Sequence, residues 1–261
     1  MDPLPVRKGA YPMRYYVAFD DTDILDAHRG TGKLARWFED CLPDDLSCRG
    51  VVRQQLPLLP GIPFTSHNSA ACMMVDGPDD PEPVRPLLAD LAAAHILNHF
   101  LDGSDPGLCV ASHDQAAHPR LMDFALRCTH EVVSRRDARA AARHLHLSAH
   151  GGTGDGIIGA AAAVALTASG WHGRFIEWCG LRDLPERLKV SELNTLGIRV
   201  VSLDRDACIP TSQDWVATNG WVRPRLLGGE PVLWVRPAGT GGWENCDHRK
   251  RHNRDKHVLA N

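Results

Sequence analysis

The sequence lacks the features that would direct the chain to a membrane, to a disulfide framework or to polyanions. Its first thirteen residues have no apolar core such as a signal peptide needs, and no later stretch is long and apolar enough for a membrane span. The eight cysteines include no C-x-x-C pair, and most lie in apolar surroundings, as buried thiols do. The net charge of −3 provides no global attraction for nucleic acid. We therefore expect a cytoplasmic globular protein of one large core or two modest ones, without a membrane partner.

Two common catalytic signatures are also missing. The chain has no G-x-x-x-x-G-K-[ST] phosphate-binding loop and no nucleophile-elbow sequence. Fourteen histidines make some chance His/Ser/Asp neighbours inevitable, so such neighbours do not argue for a catalytic triad. A P-loop NTPase and a triad hydrolase are both disfavoured.

The segment FDDTD, from Phe19 to Asp23, places three carboxylates within four positions where an apolar run ends. Residues 15–19 have the pattern of a short buried strand, so these carboxylates are expected at its carboxyl end, where open α/β sheets form ligand crevices. Like charges this close need a cation or a donor to offset them, and oxygen ligands suit magnesium. Asp20, Asp21 and Asp23 therefore predict a Mg-nucleotide site, with a solvated acidic turn as the alternative.

Two further segments could face a phosphate. Gly30, Thr31, Gly32 and Lys33 precede an amphipathic helical pattern, and a helix N-terminus favours negative charge. The segment from 150 to 170 begins with a glycine-rich turn and continues as a helix that is apolar all round, which must be buried. Its glycines would let backbone N–H groups approach an anion, although such turns also arise from packing alone.

Residue patterns predict the following elements over the first 112 residues: strands at 15–19, 51–59, 70–75 and 108–111, with helices after Gly32 and at 85–101. The order strand, helix, strand, strand, helix, strand is that of a split βαβ, ferredoxin-like unit. We predict an α/β (α+β) protein with a ferredoxin-like βαββαβ unit at 13–112. A second α/β unit at 113–240 would contain the buried helix after the Gly-rich turn.

The second half carries weaker patterns. Helices are predicted at 119–133 and 135–147, and the arginines of the second are interpreted as a solvated face rather than an RNA contact. Strands are predicted at 174–179, 198–203 and 232–235. The tail at 241–261 is basic and lacks periodicity, so we expect disorder; the alternative is a zinc site from Cys246, His248, His252 and His257, which have no recognised ligand spacing.

Five short segments together resemble a known family. They are VAFDDTD at 17–23, Gly30-Thr31, LPLLPGIPFTSHNSAA at 56–71, PGLCV at 106–110 and GDGIIGAAAAV at 154–164. In this order they resemble the archaeal tRNA(Ile) agmatinylcytidine synthetases, which use ATP to attach agmatine to the wobble cytidine of an isoleucine tRNA. The resemblance is confined to the family's kinase-like and ferredoxin-like part, and it implies that fold.

The resemblance also implies roles for residues. It places ATP and Mg²⁺ on Asp20, Asp21 and Asp23, and gives Thr31 a part in phosphoryl chemistry. The candidate catalytic residues are thus Asp20, Asp21 and Thr31, and the candidate metal ligands are the three aspartates. The candidate cofactor-binding residues are Thr22, Gly30, Lys33, His67, Asn68, Gly152, Gly154, Asp155 and Gly156.

This chain departs from the family at two positions of the candidate site. Family members usually have Gly-Asn-Gly where this chain has residues 67–69, His-Asn-Ser, and Gly-Arg-Gly where it has Gly154-Asp155-Gly156. An aspartate in place of a phosphate-facing arginine reverses the local charge, which weakens anion binding unless Lys33 compensates. The chain also ends before the OB-fold and zinc-ribbon domains with which the family holds tRNA, so we expect a different acceptor or one presented by a partner.

Two functions remain open from the sequence. The first is an ATP- and Mg-dependent enzyme of phosphoryl or nucleotidyl transfer, acting on a small amine or an RNA. In it Asp20 and Asp23 would hold metal, Asp21 would orient the acceptor or a water, and Thr31 would contact or accept a phosphate. The second is a non-catalytic nucleotide- or RNA-binding module that keeps the fold.

Overall fold

The computed structural model of the chain describes residues 12–62, 65, 67–239 and 241–246. The chain is divided into two units. The first comprises the described residues of Met1–Cys179 and Leu226–Gly229, and the second those of Gly180–Arg225 and Glu230–Asn261. None of the helices within the described ranges has the length and apolar character needed to cross a membrane.

The first unit contains most of the secondary structure. Its strands are β1 (Met13–Asp20), β2 (Ser47–Gln55), β3 (Ser69–Gly77), β4 (Gly107–Ser112), β5 (His146–Ala149), β6 (Arg174–Glu177) and most of β10 (Arg225–Leu227). Its helices are α1 (Thr31–Trp37), which continues as a 3₁₀ turn over Phe38–Cys41, α2 (Pro81–Asn98), α3 (His113–Ala116), α4 (Pro119–Arg127), α5 (Arg135–Ala141) and α6 (Gly156–Ala168).

The predicted ferredoxin-like unit is confirmed. Its elements follow the order β1–α1–β2–β3–α2–β4, and its strands lie side by side in the order β4–β1–β3–β2, with every neighbouring pair antiparallel. This arrangement is the split βαβ topology. Strand β5 extends the sheet beside β4, and β6 extends it beside β2.

Both faces of this sheet are covered, which explains why the β1 sequence is a continuous apolar run rather than an alternating one. Tyr15, Val17 and Phe19 point into a core that includes residues of α1 and α2. Helix α6, which is buried along almost its whole length, packs on β1 and β4. The predicted buried helix is therefore confirmed, and its first turn lies near the carboxyl end of β1.

The predicted boundary between residues 112 and 113 is not a boundary between units. Because α6 covers the same sheet that β1 to β4 form, residues 113–179 belong to the first unit. The helix predicted at 135–147 ends at Ala141, and residues 146–149 instead form β5, which pairs with β4. Tertiary pairing here overrides the helix propensity of the arginine- and alanine-rich segment. The helix predicted at 119–133 ends at Arg127.

The second unit is smaller and rich in short strands. It contains β7 (Arg187–Lys189), α7 (Val190–Thr195), β8 (Arg199–Ser202), β9 (Trp215–Ala217), β11 (Glu230–Pro237) and β12 (Trp243–Asn245). Strand β11 pairs with β12 and β8, and β9 pairs with β12 and β7.

The predicted disordered tail needs a correction at its start. Trp243 and Asn245 are buried in β12, and the Asn245 side chain donates a hydrogen bond to the carbonyl oxygen of Trp221 at 3.1 Å. Backbone pairing with β9 and β11 orders this segment although it lacks apolar periodicity. Residues 247–261 lie outside the described residues, and with them three of the four side chains of the zinc hypothesis.

Gly159 of α6 allows the helix to approach β1 closely, and this suggests a stability test. A Cβ added there would lie 1.9 Å from Oδ2 of Asp20, so we expect Gly159→Ala to destabilise the protein by about 1–3 kcal/mol. Glycine-to-alanine changes inside helices normally stabilise by about 1 kcal/mol, so the sign is diagnostic. Chemical denaturation measures it, with Gly239→Ala as the control, because a Cβ there meets no atom within 4 Å. A stabilised Gly159→Ala protein would contradict the close approach.

Candidate functional site

A cavity of about 330 Å³ in the first unit brings together segments that are far apart in the sequence. It is formed by the carboxyl end of β1, the start of α1, the loop between β2 and β3, the segment before α5, and the first turn of α6. The predicted site residues that line it are Asp20, Asp21, Asp23, Thr31, His67, Asn68, Asp155 and Gly156. The predicted residues that do not line it are Thr22, Gly30, Lys33, Gly152 and Gly154.

The three aspartates after β1 are crowded and poorly solvated. Burial raises the pKa of Asp20 to about 8, and the neighbouring charge of Asp21 adds to the rise. Burial likewise raises the pKa of Asp21 to about 6, with a further contribution from Asp105. Burial also raises the pKa of Asp23, whereas hydrogen bonds from threonine hydroxyls oppose that rise. Burial and mutual repulsion therefore shift these groups toward their protonated forms, a shift that a bound cation would oppose.

The three aspartates have the right ligand atoms for magnesium but are not arranged as a complete metal site. Three carboxylates offer only oxygen ligands, which Mg²⁺ prefers. Within the described residues, however, no three His, Cys, Asp or Glu side chains converge as a ready-made metal site. Mg²⁺ commonly binds through one or two carboxylates together with substrate phosphates and water, so a preformed cage is not required.

A small hydrogen-bond network holds the loop between β1 and α1. The Thr31 hydroxyl oxygen accepts bonds from the backbone N–H of Thr22 at 3.3 Å and from the Thr22 hydroxyl at 3.1 Å. The buried Arg29 donates to the Thr22 carbonyl oxygen at 2.9 Å and to the carbonyl oxygen of His99. Thr22 is therefore an internal support of Thr31 rather than a cavity residue, and Gly30 is the residue that caps α1.

Substitutions of Thr31 test how much its hydrogen bonds with Thr22 contribute to stability. Thr31→Val keeps the shape but leaves both Thr22 donors without their acceptor, so we expect a loss of about 1–3 kcal/mol in unfolding free energy. Thr31→Ser retains the hydroxyl and should cost less than about 1 kcal/mol, roughly the value of the lost methyl group. Thermal denaturation without nucleotide checks both. Equal stability of the valine and serine proteins would show that the Thr22–Thr31 bonds contribute nothing.

The glycine-rich turn before α6 does not present all of its N–H groups to the cavity. The buried Asp105 carboxylate accepts hydrogen bonds from the backbone N–H groups of Thr153, at 3.1 Å, Gly154, at 2.7 Å, and Asp155, at 2.9 Å. The Thr153 hydroxyl also donates to Asp105 at 2.7 Å. The predicted anion cradle thus exists, but an internal carboxylate occupies it.

The glycines of this turn are explained by Asp105 and by packing. Gly152 and Gly154 have positive φ values of 54° and 82°, and a Cβ on Gly152 would lie 2.7 Å from Cγ of Asp105. A Cβ on Gly156 would lie 2.1 Å from the Asp105 carbonyl oxygen. The part of this segment that faces the cavity is therefore the first turn of α6, where Gly156, Ile158 and Gly159 line it.

The charge of Asp155 is compensated by Arg135 and not by Lys33. Arg135, the first residue of α5, forms an ion pair with Asp155 through its Nε at 3.1 Å from Oδ1, and its Nη1 donates to the carbonyl oxygen of Thr153. The Lys33 ammonium instead lies 4.9 Å from the ring centroid of Trp37, one turn along α1. The condition that Lys33 compensates this charge is not met in the structure, because the Lys33 ammonium packs over the Trp37 ring.

The loop between β2 and β3 contributes His67 and Asn68 to the cavity wall. The Asn68 side-chain amide donates to the carbonyl oxygen of Pro57 at 2.7 Å, and its backbone carbonyl oxygen accepts from the N–H of Leu56 at 2.9 Å. Asn68 therefore ties the two ends of the loop together. His67 is exposed beside it.

No protein-family model matches the chain, and no curated protein matches it. It is similar to a solved structure of apo TiaS, a tRNA agmatidine synthetase, at 27% identity and a TM-score of 0.47, over 59% of this chain and 35% of that chain. It is also similar to a complex of TiaS with an isoleucine tRNA and ATP, at 26% identity and a TM-score of 0.49, over 59% of this chain and 36% of that chain. The match thus spans about a third of the length of those proteins.

Proposed function

We propose that this chain is an ATP- and magnesium-dependent enzyme of phosphoryl or nucleotidyl transfer, related to the tRNA agmatinylcytidine synthetases. The observation that carries the proposal is the meeting of Asp20, Asp21, Asp23 and Thr31 with the first turn of α6 around one cavity. Carboxylates suit a magnesium ion, and a helix N-terminus suits a phosphate, so the cavity offers a place for both parts of Mg-ATP. The acceptor would be a small amine or an RNA, with a partner presenting the RNA.

In this proposal, two of the residues would bind the metal ion and two would take part in the transfer reaction. Asp20 and Asp23 would hold the metal ion, which when bound neutralises charge on the phosphates. Asp21 would accept the proton of the acceptor nucleophile or orient a water molecule, as a carboxylate on the cavity wall. Thr31 would direct its hydroxyl at the transferred phosphate.

A second candidate is a nucleotide- or RNA-binding module without catalysis. Two observations favour it: the Asp105 carboxylate occupies the N–H groups of the glycine-rich turn, and Asp155 offsets the charge of Arg135 at the cavity wall. Both reduce the positive potential that a transferred phosphate requires.

Calorimetric titration of the full chain with ATP, with and without Mg²⁺, tests the proposal, together with chromatography of the products after long incubation with amine and RNA acceptors. The enzyme predicts Mg-dependent binding and release of ADP, or of AMP with pyrophosphate, according to whether a phosphoryl or a nucleotidyl group is transferred. The module predicts binding without turnover. Absence of ATP binding with and without Mg²⁺ would overturn the enzyme and leave only an RNA-binding module.

A further inference from the structure

The carboxylates that line the cavity outnumber the cations. They are Asp20, Asp21, Asp23, Glu131 and Asp155. Within the described part of the chain, Arg135 is the only arginine or lysine among the lining residues. A triphosphate carries several negative charges, of which a metal ion offsets only part, so a protein cation at the phosphates strengthens binding.

The Arg135 guanidinium is held in place by two of its nitrogen atoms, and the third has no hydrogen bond to a described residue. Its Nε lies 3.1 Å from Asp155 Oδ1, and its Nη1 donates to the carbonyl oxygen of Thr153. Its Nη2 makes no hydrogen bond to any described residue, and the side chain is 44% exposed. Its backbone is fixed because Ser134 and Asp137 form a capping box at the start of α5, with the Ser134 hydroxyl 2.7 Å from Asp137 Oδ2.

Two other cationic side chains near the site, those of Lys33 and Arg29, make contacts away from the cavity. Lys33 lies over the Trp37 ring and outside the cavity lining. Arg29 is buried, and it donates to the carbonyl oxygens of Thr22 and His99. We infer that Arg135 is the residue that binds the terminal phosphates of the nucleotide. This inference rests on the proposed function.

Asp155 has a defined part in this arrangement. Through the ion pair it holds the guanidinium at the cavity wall. A phosphate offers a planar guanidinium two parallel hydrogen bonds, so the nucleotide competes with Asp155 for the same donors. Removing the charge of Asp155 should therefore strengthen nucleotide binding, whereas removing Arg135 should weaken it.

The test is calorimetric titration of the full chain with ATP, ADP and AMP in the presence of Mg²⁺. For Arg135→Gln we expect the ATP affinity to fall about tenfold or more, because a charge-assisted hydrogen bond is lost, while the AMP affinity stays the same. For Asp155→Asn we expect tighter ATP binding. The matched control is Arg136→Gln, which removes an exposed arginine at the next position of α5 and should leave all three affinities unchanged.

Four outcomes would contradict the inference or separate it from the proposed function. If Arg135→Gln and Asp155→Asn weaken ATP binding equally, Arg135 only holds the glycine-rich turn in place. If Arg135→Gln weakens ATP and AMP alike, the terminal phosphates are not its target. If the wild type binds ATP with Mg²⁺ and Arg135→Gln binds it equally well, the inference fails while the proposed function stands. A wild type that binds no nucleotide overturns the proposed function itself.

Discussion

The Asp20→Asn protein is expected to lose Mg-dependent ATP binding by about 100-fold or more while it folds more stably than the wild type. Asparagine keeps the shape of the side chain and removes the charge that balances the metal ion, and losing one member of a buried charge pair costs about 3 kcal/mol or more. Titration calorimetry with Mg-ATP measures the affinity. Asp26→Asn is the control, because Asp26 is an exposed carboxylate of the same loop that does not line the cavity.

The stability gain of Asp20→Asn should depend on pH in a defined direction. The Asp20 carboxyl keeps its proton up to about pH 8 in the folded, metal-free protein, whereas its ordinary pKa is 3.8. Between these pH values the unfolded state binds fewer protons than the folded state, so stability falls as pH rises, by up to about 1.4 kcal/mol per pH unit. Asp20→Asn should remove most of this slope between about pH 6 and 8, and Asp21, whose pKa is raised to about 6, should leave a slope below about pH 6.

Urea denaturation without metal, at intervals from about pH 4 to about pH 8.5, spans the window between the ordinary and the raised pKa of Asp20 and measures the slope. An Asp20→Asn protein whose stability falls with pH as steeply as that of the wild type would show that Asp20 is ionised at neutral pH. A variant that binds Mg-ATP with unchanged affinity would remove Asp20 from the metal site.

The second large effect is expected at Asp105. Asp105→Ala removes the acceptor of three backbone N–H groups and of the Thr153 hydroxyl, so we expect a loss of about 3–5 kcal/mol in unfolding free energy. Asp105→Asn should cost less, because one carbonyl oxygen remains as an acceptor. Urea denaturation measures both losses. Hydrogen exchange should also accelerate at the amides of residues 153–155 while β1 stays protected in each folded variant.

Asp102 provides the matched control for Asp105. It is an exposed aspartate three positions earlier, and Asp102→Ala should change stability by less than about 0.5 kcal/mol. If the Asp105 and Asp102 variants were equally stable, the carboxylate would not be what shapes the glycine-rich turn.

The ferredoxin-like unit could be predicted from the sequence because its signals are local. The apolar run of β1, the helical spacing of α2 and the order of the elements each follow from neighbouring residues. The burial of α6 was also predictable, since a helix without a polar face must be covered. The position of the predicted domain boundary was wrong because it depends on which sheet α6 covers, and that is a long-range contact.

The partners within the site were harder to predict. Asp105 lies in a turn where aspartate is common, and its hydrogen-bond donors come 48 to 50 positions later. Arg135 had the pattern of a solvated helix face, and its ion pair joins residues 20 positions apart. The contact of Lys33 with Trp37, by contrast, follows from the i, i+4 spacing of a helix, and that spacing was available in the sequence.

The close approach of α6 to Asp20 couples ligand binding to the assembly of the first unit. The cavity is complete only when α6 is docked on the sheet, since Gly156 and Gly159 of this helix line it. A ligand that binds only the docked form must shift the docking equilibrium by mass action, and excess ligand at about 100 times its dissociation constant adds about 2.7 kcal/mol. If the proposed nucleotide binds in this cavity, its binding would therefore stabilise the docked position of α6 on the sheet.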